Sequence, residues 1–111
     1  MGPFTKGDIV LFPFPYTDLS NRKIRPCLVL SEEMNEDVIL CQITSKNINK
    51  DQCVVEINKD ETIDGSLMID SYVRTNMIFT AIKNQIHKKL CSVNNKRYEE
   101  ITNMINKIMK K

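Results

Sequence analysis

The sequence predicts a mainly β protein of the α+β class, a small curved β-barrel closed by a C-terminal amphipathic helix. Short apolar runs alternate with polar, turn-forming segments as far as residue 90, which is typical of antiparallel sheets and barrels. Beyond residue 90 the apolar residues change to a helical period. The chain has 111 residues, 41% hydrophobic and 27% charged, and is long enough for one core but not two. Residues 1–111 are therefore interpreted as a single domain.

Short loops separate the predicted strands. The first strand covers residues 9–12, because Pro13 and Pro15 are expected to stop ladder pairing. The later strands are predicted at residues 27–31, 38–44, 53–57, 67–73 and 86–90. Apolar residues also continue beyond the strand at 67–73, through residues 77–79.

Apolar residues at three- and four-residue steps predict the terminal helix. They are Tyr98, Ile101, Met104, Ile105, Ile108 and Met109. Asn94 or Asn95 is a suitable N-cap, and Lys110 and Lys111 suit the negative end of the helix dipole. The methionines are interpreted as core filling.

Charge and cysteine content narrow the functional classes. A net charge of +2 and a pI near 8.3 permit an anionic partner without requiring one, since many nucleic-acid binders have a pI above about 9. The positive charge is clustered, with Arg22, Lys23 and Arg25 close together. The four cysteines form no CxxC pair and His87 is the only histidine, so no metal site is expected. We expect the cysteines to be buried free thiols and the protein to act in a reducing cytoplasm. No segment is expected to span a membrane.

Arg25 stands where a polar segment, residues 18–26, meets an apolar run. Pro26 is expected at the strand's first residue, where it costs no ladder bond and biases Arg25 toward extended backbone. A planar, always-charged guanidinium suits a phosphate. Taken alone, however, an arginine in a loop is more often a solvated surface residue.

Sequence signatures of several enzyme classes are absent. There is no GxSxG elbow, Walker loop, GxGxxG or HExxH motif, and a Cys–His nucleophile would require His87 beside a cysteine. Arginines with hydroxyls can stabilise charge on a phosphate without a cofactor, although hydroxyls ending a strand are often only caps. The remaining polar candidates are Arg25, Arg74, Ser20, Thr44 and Ser45.

Several blocks of the sequence resemble the MazF/PemK toxins. They are GDIV at 7–10, FPFPYTDLS at 12–20, RPCLVLS at 25–31, ITS at 43–45, SYVRTN at 71–76 and IFT at 78–80. The resemblance covers most of residues 6–90, and the terminal helix fits it. It implies a barrel of the SH3-like, CcdB–PemK type.

The resemblance also implies a function. Such proteins are the toxins of toxin–antitoxin pairs, homodimeric endoribonucleases that cut single-stranded RNA without a metal or other cofactor. The ribose 2′-OH attacks the adjacent phosphate and leaves a cyclic phosphate and a free 5′-OH. The partners implied are single-stranded RNA, a cognate antitoxin and a second copy of the chain, with no membrane.

Residue by residue, the resemblance implies three catalytic positions. Arg25 matches the arginine of the family's Arg–Pro pair, Thr44 the threonine that ends the third strand, and Ser20 a loop hydroxyl. The implied RNA-binding residues are Arg22, Lys23, Ser45, Arg74, Asn76 and Asp18.

Asn76 departs from the family pattern, because many relatives carry an acid two residues after the position of Arg74. An asparagine can orient a 2′-OH but cannot take its proton, and arginine stays protonated near neutral pH. The general base is therefore open, with Asp18 and His87 as candidates. Two non-catalytic alternatives also stay open: a gyrase poison acting through the terminal helix, and an RNA-binding relative without turnover.

Overall fold

The structure, a computed structural model, describes residues 4–15, 22–46 and 53–111. In these ranges the chain forms seven strands, a short 3-10 turn at Lys83–Gln85 and one α-helix. The strands are β1 (Asp8–Pro15), β2 (Arg22–Val29), β3 (Asp37–Thr44), β4 (Val54–Ile57), β5 (Thr62–Ile63), β6 (Ser71–Ile82) and β7 (Lys88–Val93), and the helix is α1 (Asn95–Met109).

The strands of the described ranges form a single antiparallel sheet in the order β4-β6-β3-β2-β1-β7-β5. The sheet curls into a nearly closed barrel with α1 packed against β6 and β4. The predicted fold class, mainly β with a C-terminal helix on a small barrel, is confirmed.

Side-chain alternation gives this sheet two buried faces. Ile9, Leu28 and Cys41 are register partners across β1, β2 and β3, and they share one core with Ile101 of the helix. Val10 and Cys27, one step along the same ladder, belong to a second core on the opposite face.

Aromatic contacts show that the second face is concave. The ring of Phe14 on β1 lies 5.1 Å from that of Phe79 on β6, centroid to centroid, and Phe12 lies 5.4 Å from Phe79. In a flat sheet, β1 and β6 would be about 14 Å apart, because β2 and β3 lie between them. Contact at 5.1 Å therefore requires the sheet to curve around this face.

The prediction that Pro13 and Pro15 stop pairing is wrong. Strand β1 pairs with β2 as far as Pro15↔Arg22. The N–H of His87 donates to the Leu11 carbonyl (2.9 Å), so this residue turns its backbone groups toward β7. Pro13 and Pro15 are two and four residues after Leu11, so their backbone groups face the same side as those of Leu11. They lie beyond Leu11, the last residue of β1 that pairs with β7. Their missing N–H groups therefore face away from β2 and cost the ladder no bond.

The prediction that Pro26 is the first residue of its strand is wrong, because β2 already begins at Arg22. The N–H of Leu30 donates to Ile39 on β3 (2.8 Å), so residues of even number in β2 turn toward β3. The pairing with β3 begins only at Cys27↔Gln42, and Pro26 lies just outside it. Arg25 consequently lies inside a strand, paired with Phe12.

Other boundaries also differ from the prediction. Residues 67–69 form no strand, and the apolar content of 72–73 and 77–79 belongs to one twelve-residue strand, β6. β7 runs later than the predicted 86–90, and the two-residue β5 was not predicted. The helix and its cap are confirmed, since the Asn94 side chain accepts the Arg97 N–H at 2.8 Å.

The cysteines are free thiols. The predicted burial is confirmed for Cys27 and Cys41, and Cys91 is buried as well, whereas Cys53 is half-buried. Among the helices of the described ranges, none combines the length and apolar character required to cross a membrane.

Candidate functional site

Strand register aligns three polar side chains across the concave face, and an arginine lies on the same face. Thr44 on β3 pairs with Tyr72 on β6, and Tyr72 pairs with Glu56 on β4. Arg25 lies two residues before Cys27, just beyond the last β2–β3 pair at Cys27↔Gln42, and strand alternation places it on the same face as Thr44. Directly opposite residues point to the same face with about 5 Å between them. Thr44, Tyr72 and Glu56 therefore form one line, called here the polar row, and Arg25 lies on the same face.

Arg25 is half-buried on β2, on the same face as the polar row. It is the register partner of Phe12, which is buried. The Sγ of Cys27 donates to the Arg25 carbonyl at 3.9 Å, a weak contact, and burial raises the pKa of the Cys27 thiol far above its ordinary value. The thiol thus stays neutral, and the cation of Arg25 is presented from a rigid strand.

Thr44 is 8% exposed, and its hydroxyl accepts the Lys46 N–H at 3.2 Å. Because the hydroxyl is the acceptor in this bond, its own hydrogen can be donated to another group. Burial first, and then the neighbouring Glu56 carboxylate, raise the pKa of Tyr72. Tyr72 therefore stays a protonated phenol beside the Glu56 carboxylate.

Arg74 lies on the same face, two residues beyond Tyr72 on β6 and paired with Val54. Its Nε is a buried donor without a hydrogen-bond partner in the described part of the chain. The Sγ of Cys41 donates to the Arg74 carbonyl at 3.0 Å, and burial raises the pKa of that thiol to about 12. A buried guanidinium N–H without an acceptor is costly, and an anion would satisfy it.

Asn76 lies in an irregular part of β6. Pairing with β3 shifts between Ile43↔Val73 and Cys41↔Ile78, so residues 74–77 bulge out of the ladder. The segment is anchored at Thr75, whose buried hydroxyl donates to the Cys53 carbonyl, as does its N–H at 2.9 Å. Asn76 itself is exposed.

A cleft of about 290 Å³, which Arg25 also lines, is formed largely by apolar side chains. Its wall includes the 93% exposed Met68 and the exposed Ile69, and Lys23 and Ser45 contribute polar groups. We call it the apolar cleft. Its lining is Lys23, Ile24, Arg25, Pro26, Ile43, Ser45, Leu67, Met68, Ile69, Ser71 and Leu90.

The structure brings together only part of the predicted site. Arg25, Thr44 and Arg74 share the concave face, whereas Lys23 and Ser45 line the apolar cleft beside Arg25.

Other predicted residues are placed elsewhere. Arg22 begins β2, with its side chain outside the described set, and Ser20 and Asp18 lie outside the described residues altogether. His87 is exposed just before β7, and β1 and β2 lie between β7 and the strand of Thr44. Within the described ranges, no group of three or more His, Cys, Asp or Glu is arranged to hold a metal.

Sequence reasoning missed Tyr72 and Glu56 as members of the site. Tyr72 lies inside the SYVRTN block, and Glu56 is the single acid of the strand VVEI. An acid on the polar face of an otherwise apolar strand was the available signal. Its relation to Thr44, however, depends on the order of strands in the sheet, which alternation alone does not give.

Arginines and hydroxyls on a curved barrel face form an arrangement whose charge and donors suit an anion such as a phosphate. Residues 5–109 match the profile of a family described as the PemK-like, MazF-like toxin of type II toxin–antitoxin systems. The chain belongs to this family.

Solved structures agree with the fold. A Deinococcus radiodurans MazE–MazF structure is similar with a TM-score of 0.74 and 16% identity, covering 99% of this chain and 98% of that one. The Mycobacterium tuberculosis toxin MazF-mt6 is similar with a TM-score of 0.71 and 15% identity, covering 90% of this chain and 93% of that one. A mycobacterial endoribonuclease in complex with its cognate antitoxin has a TM-score of 0.71 and 17% identity, and the match covers 96% of this chain and 93% of that one. Among curated proteins, no significant sequence match is found.

Proposed function

We propose that this chain is the toxin of a toxin–antitoxin pair and acts as an endoribonuclease on single-stranded RNA. The observation that carries the proposal is the shared concave face of Arg25, Thr44 and Arg74, on which the buried Arg74 Nε has no acceptor within the described ranges. Two guanidinium groups and a hydroxyl match the charge and geometry of a phosphodiester.

In the proposed reaction, the ribose 2′-OH attacks the adjacent phosphorus, and the bond from phosphorus to the 5′ oxygen breaks. The products are a cyclic phosphate and a 5′-OH. The phosphorane transition state carries more negative charge than the substrate, so Arg25 and the Thr44 hydroxyl would bind it more tightly than the ground state. Lys23, Ser45 and Arg74 would hold the flanking nucleotides, and Ser20, Asp18, Arg22 and Asn76 belong to the same proposed site.

The proposed partners follow from the same reasoning. Two of the similar structures contain an antitoxin, as MazE–MazF and as an endoribonuclease with its cognate antitoxin, which supports an antitoxin partner here. A homodimer, action in the cytoplasm and catalysis without a cofactor are also part of the proposal.

The first test is cleavage of a long single-stranded RNA by the purified protein in excess EDTA, with both fragment ends mapped. Discrete cuts with 5′-OH ends are expected, and Arg25→Ala should lower the rate by about 10²-fold or more. Lys107→Ala, which removes an exposed cation on the terminal helix, is the matched control and should cut at the wild-type rate.

Two outcomes would contradict the proposal. Full activity in folded Arg25→Ala would remove the proposed site. Intact RNA with folded wild-type protein would favour the non-catalytic alternatives, and a gyrase cleavage assay would then separate a gyrase poison from an RNA-binding protein without turnover.

A further inference from the structure

The proposed reaction needs a group that accepts the proton of the 2′-OH, and an amide at Asn76 cannot do so. Building on the proposed function, we infer that Glu56 is this general base and that Tyr72 is the positioning residue that holds it. The juxtaposition that supports this is the polar row, in which Glu56, Tyr72 and Thr44 are successive register partners on β4, β6 and β3.

Spacing across the row fits one nucleotide. Neighbouring register partners are about 5 Å apart, so Glu56 and Thr44 lie about 10 Å apart on either side of Tyr72. A nucleotide lying over Tyr72 would place its phosphate near Thr44 and Arg25 and its ribose near Glu56. No other carboxylate of the described ranges is a register partner in this row.

The environment of Glu56 suits an accessible proton acceptor. Its side chain is exposed on β4, at an edge of the sheet. The phenol of Tyr72 is its register partner on β6, and the two groups interact electrostatically. A carboxylate has two oxygens with about four acceptor sites, so one oxygen can hold the phenol while the other receives a proton.

The charged neighbours of the pair are of both signs. Asp70 also acts on Tyr72 electrostatically, and its carboxylate is held by the Lys59 N–H at 2.8 Å. Arg74 lies on the same face of β6 and is paired with Val54 of β4. The polar row therefore has a guanidinium on its own face.

The step balances without a further reactant. Glu56 takes the proton of the 2′-OH as its oxygen bonds to phosphorus, and the bond from phosphorus to the 5′ oxygen breaks. The leaving 5′ oxygen takes a proton from water, and Glu56 returns its proton to solvent. The sum is transesterification to the cyclic phosphate with no change of oxidation state.

The deciding experiment is the pH–rate profile of RNA cleavage by wild-type protein and Glu56→Gln. Glutamine keeps the size of the side chain and one acceptor oxygen, but it cannot take a proton. The variant is expected to lose about 10²-fold or more in rate and to lack the acid limb of the profile. Its affinity for an RNA with a 2′-deoxy residue at the cut site, which cannot react, should match that of the wild type.

Two further variants sharpen the test. Tyr72→Phe removes only the hydroxyl and should give a smaller loss of rate with the acid limb kept. Glu99→Gln, at an exposed carboxylate of the terminal helix, should behave as wild type.

Each contrary outcome has a distinct meaning. Active wild-type protein with an unchanged rate and profile in Glu56→Gln overturns this inference alone. A variant that only binds the 2′-deoxy RNA more weakly, with the acid limb intact, makes Glu56 a substrate contact and overturns its role as base. Wild-type protein that cuts no RNA overturns both this inference and the proposed function.

Discussion

At the scale of the residue, the Nε of Arg74 is unusual because it is buried without a hydrogen-bond partner among the described residues, whereas buried polar groups normally have one. The donor is held on the concave face by β6, and the thiol of Cys41 supports the carbonyl of the same residue at 3.0 Å. The free protein therefore carries a desolvation cost that an RNA phosphate would relieve. Stability and binding are expected to respond in opposite directions to a change at this position.

Arg74→Met tests this directly. Methionine fills a similar volume without a polar atom, so the melting temperature is expected to stay equal or rise. RNA affinity should fall by roughly ten- to a hundred-fold, since a hydrogen bond to a charged group contributes about 1.5–3 kcal/mol. Differential scanning fluorimetry and binding of an uncleavable 2′-O-methyl RNA would measure the two effects.

Arg97→Met is the matched control, because that guanidinium makes ion pairs with Glu61 (2.9 Å) and Glu100 (2.8 Å). It should lose thermal stability and keep RNA affinity. If Arg74→Met instead behaved like Arg97→Met, the unpartnered Nε would have no role in binding.

At the scale of the element, β-strands were easier to predict than their limits. Alternation and apolar runs identified most strands and the helix, and the Asn94 cap followed from its side-chain chemistry. The ends of β1 and β2 were missed because a proline interrupts a ladder only when its nitrogen faces the partner strand. That direction depends on parity within the finished sheet, which Pro13 and Pro26 show in two different strands.

The same limit applies to the site. Arg25 and Thr44 could be proposed from motifs, since each has a local sequence context that the family resemblance identifies. Glu56 could not be connected with them, because it comes close to Thr44 only through the placement of β6 between β4 and β3. Contacts that depend on strand order lie beyond what local patterns encode.

Gly65, between β5 and β6, illustrates how one position fixes a strand pairing. Its φ is +129°, and a Cβ built there would lie 2.2 Å from the Leu90 carbonyl oxygen of β7. Since β5 pairs with β7, backbone would have to move to admit a side chain. Gly65→Ala is expected to destabilise the fold by about 1–3 kcal/mol, measured by urea unfolding.

Gly7→Ala is the matched comparison for this effect. Gly7 has φ +94°, but its added Cβ would meet nothing closer than 3.8 Å. It should share the conformational strain without the collision and be less destabilised than Gly65→Ala. Equal losses in the two variants would show that the contact with Leu90 contributes nothing.

At the scale of the whole molecule, two carboxylates connect segments that are distant in sequence. Glu33 accepts the Phe4 N–H at 2.6 Å and pairs with Lys83 at 3.1 Å, which links the N-terminal segment to the 3-10 turn. Glu61 accepts the Asn58 N–H at 2.9 Å and pairs with Arg97 of the helix. Both bridges join segments that the β-ladder does not pair.

These bridges make the fold sensitive to acid. The Phe4 N–H, followed by Lys83, lowers the pKa of Glu33 below its ordinary value of 4.5. The Asn58 N–H, followed by Arg97, lowers that of Glu61 in the same way. A carboxyl group with a lowered pKa in the folded state stabilises the fold fully above its unfolded pKa. The contribution is lost as the pH falls through the folded value.

Glu33→Gln should therefore melt at a lower temperature than the wild type at pH 7, and the difference should shrink as the pH falls below about 4.5. Glutamine can still accept the Phe4 N–H but cannot pair with Lys83 as an ion. Combining it with Glu61→Gln should produce nearly additive losses, because the two bridges join different segments. Glu99→Gln, at an exposed position on α1, should follow the wild-type curve of melting temperature against pH. A difference that persisted unchanged into acid would mean that Glu33 acts through packing rather than through its charge.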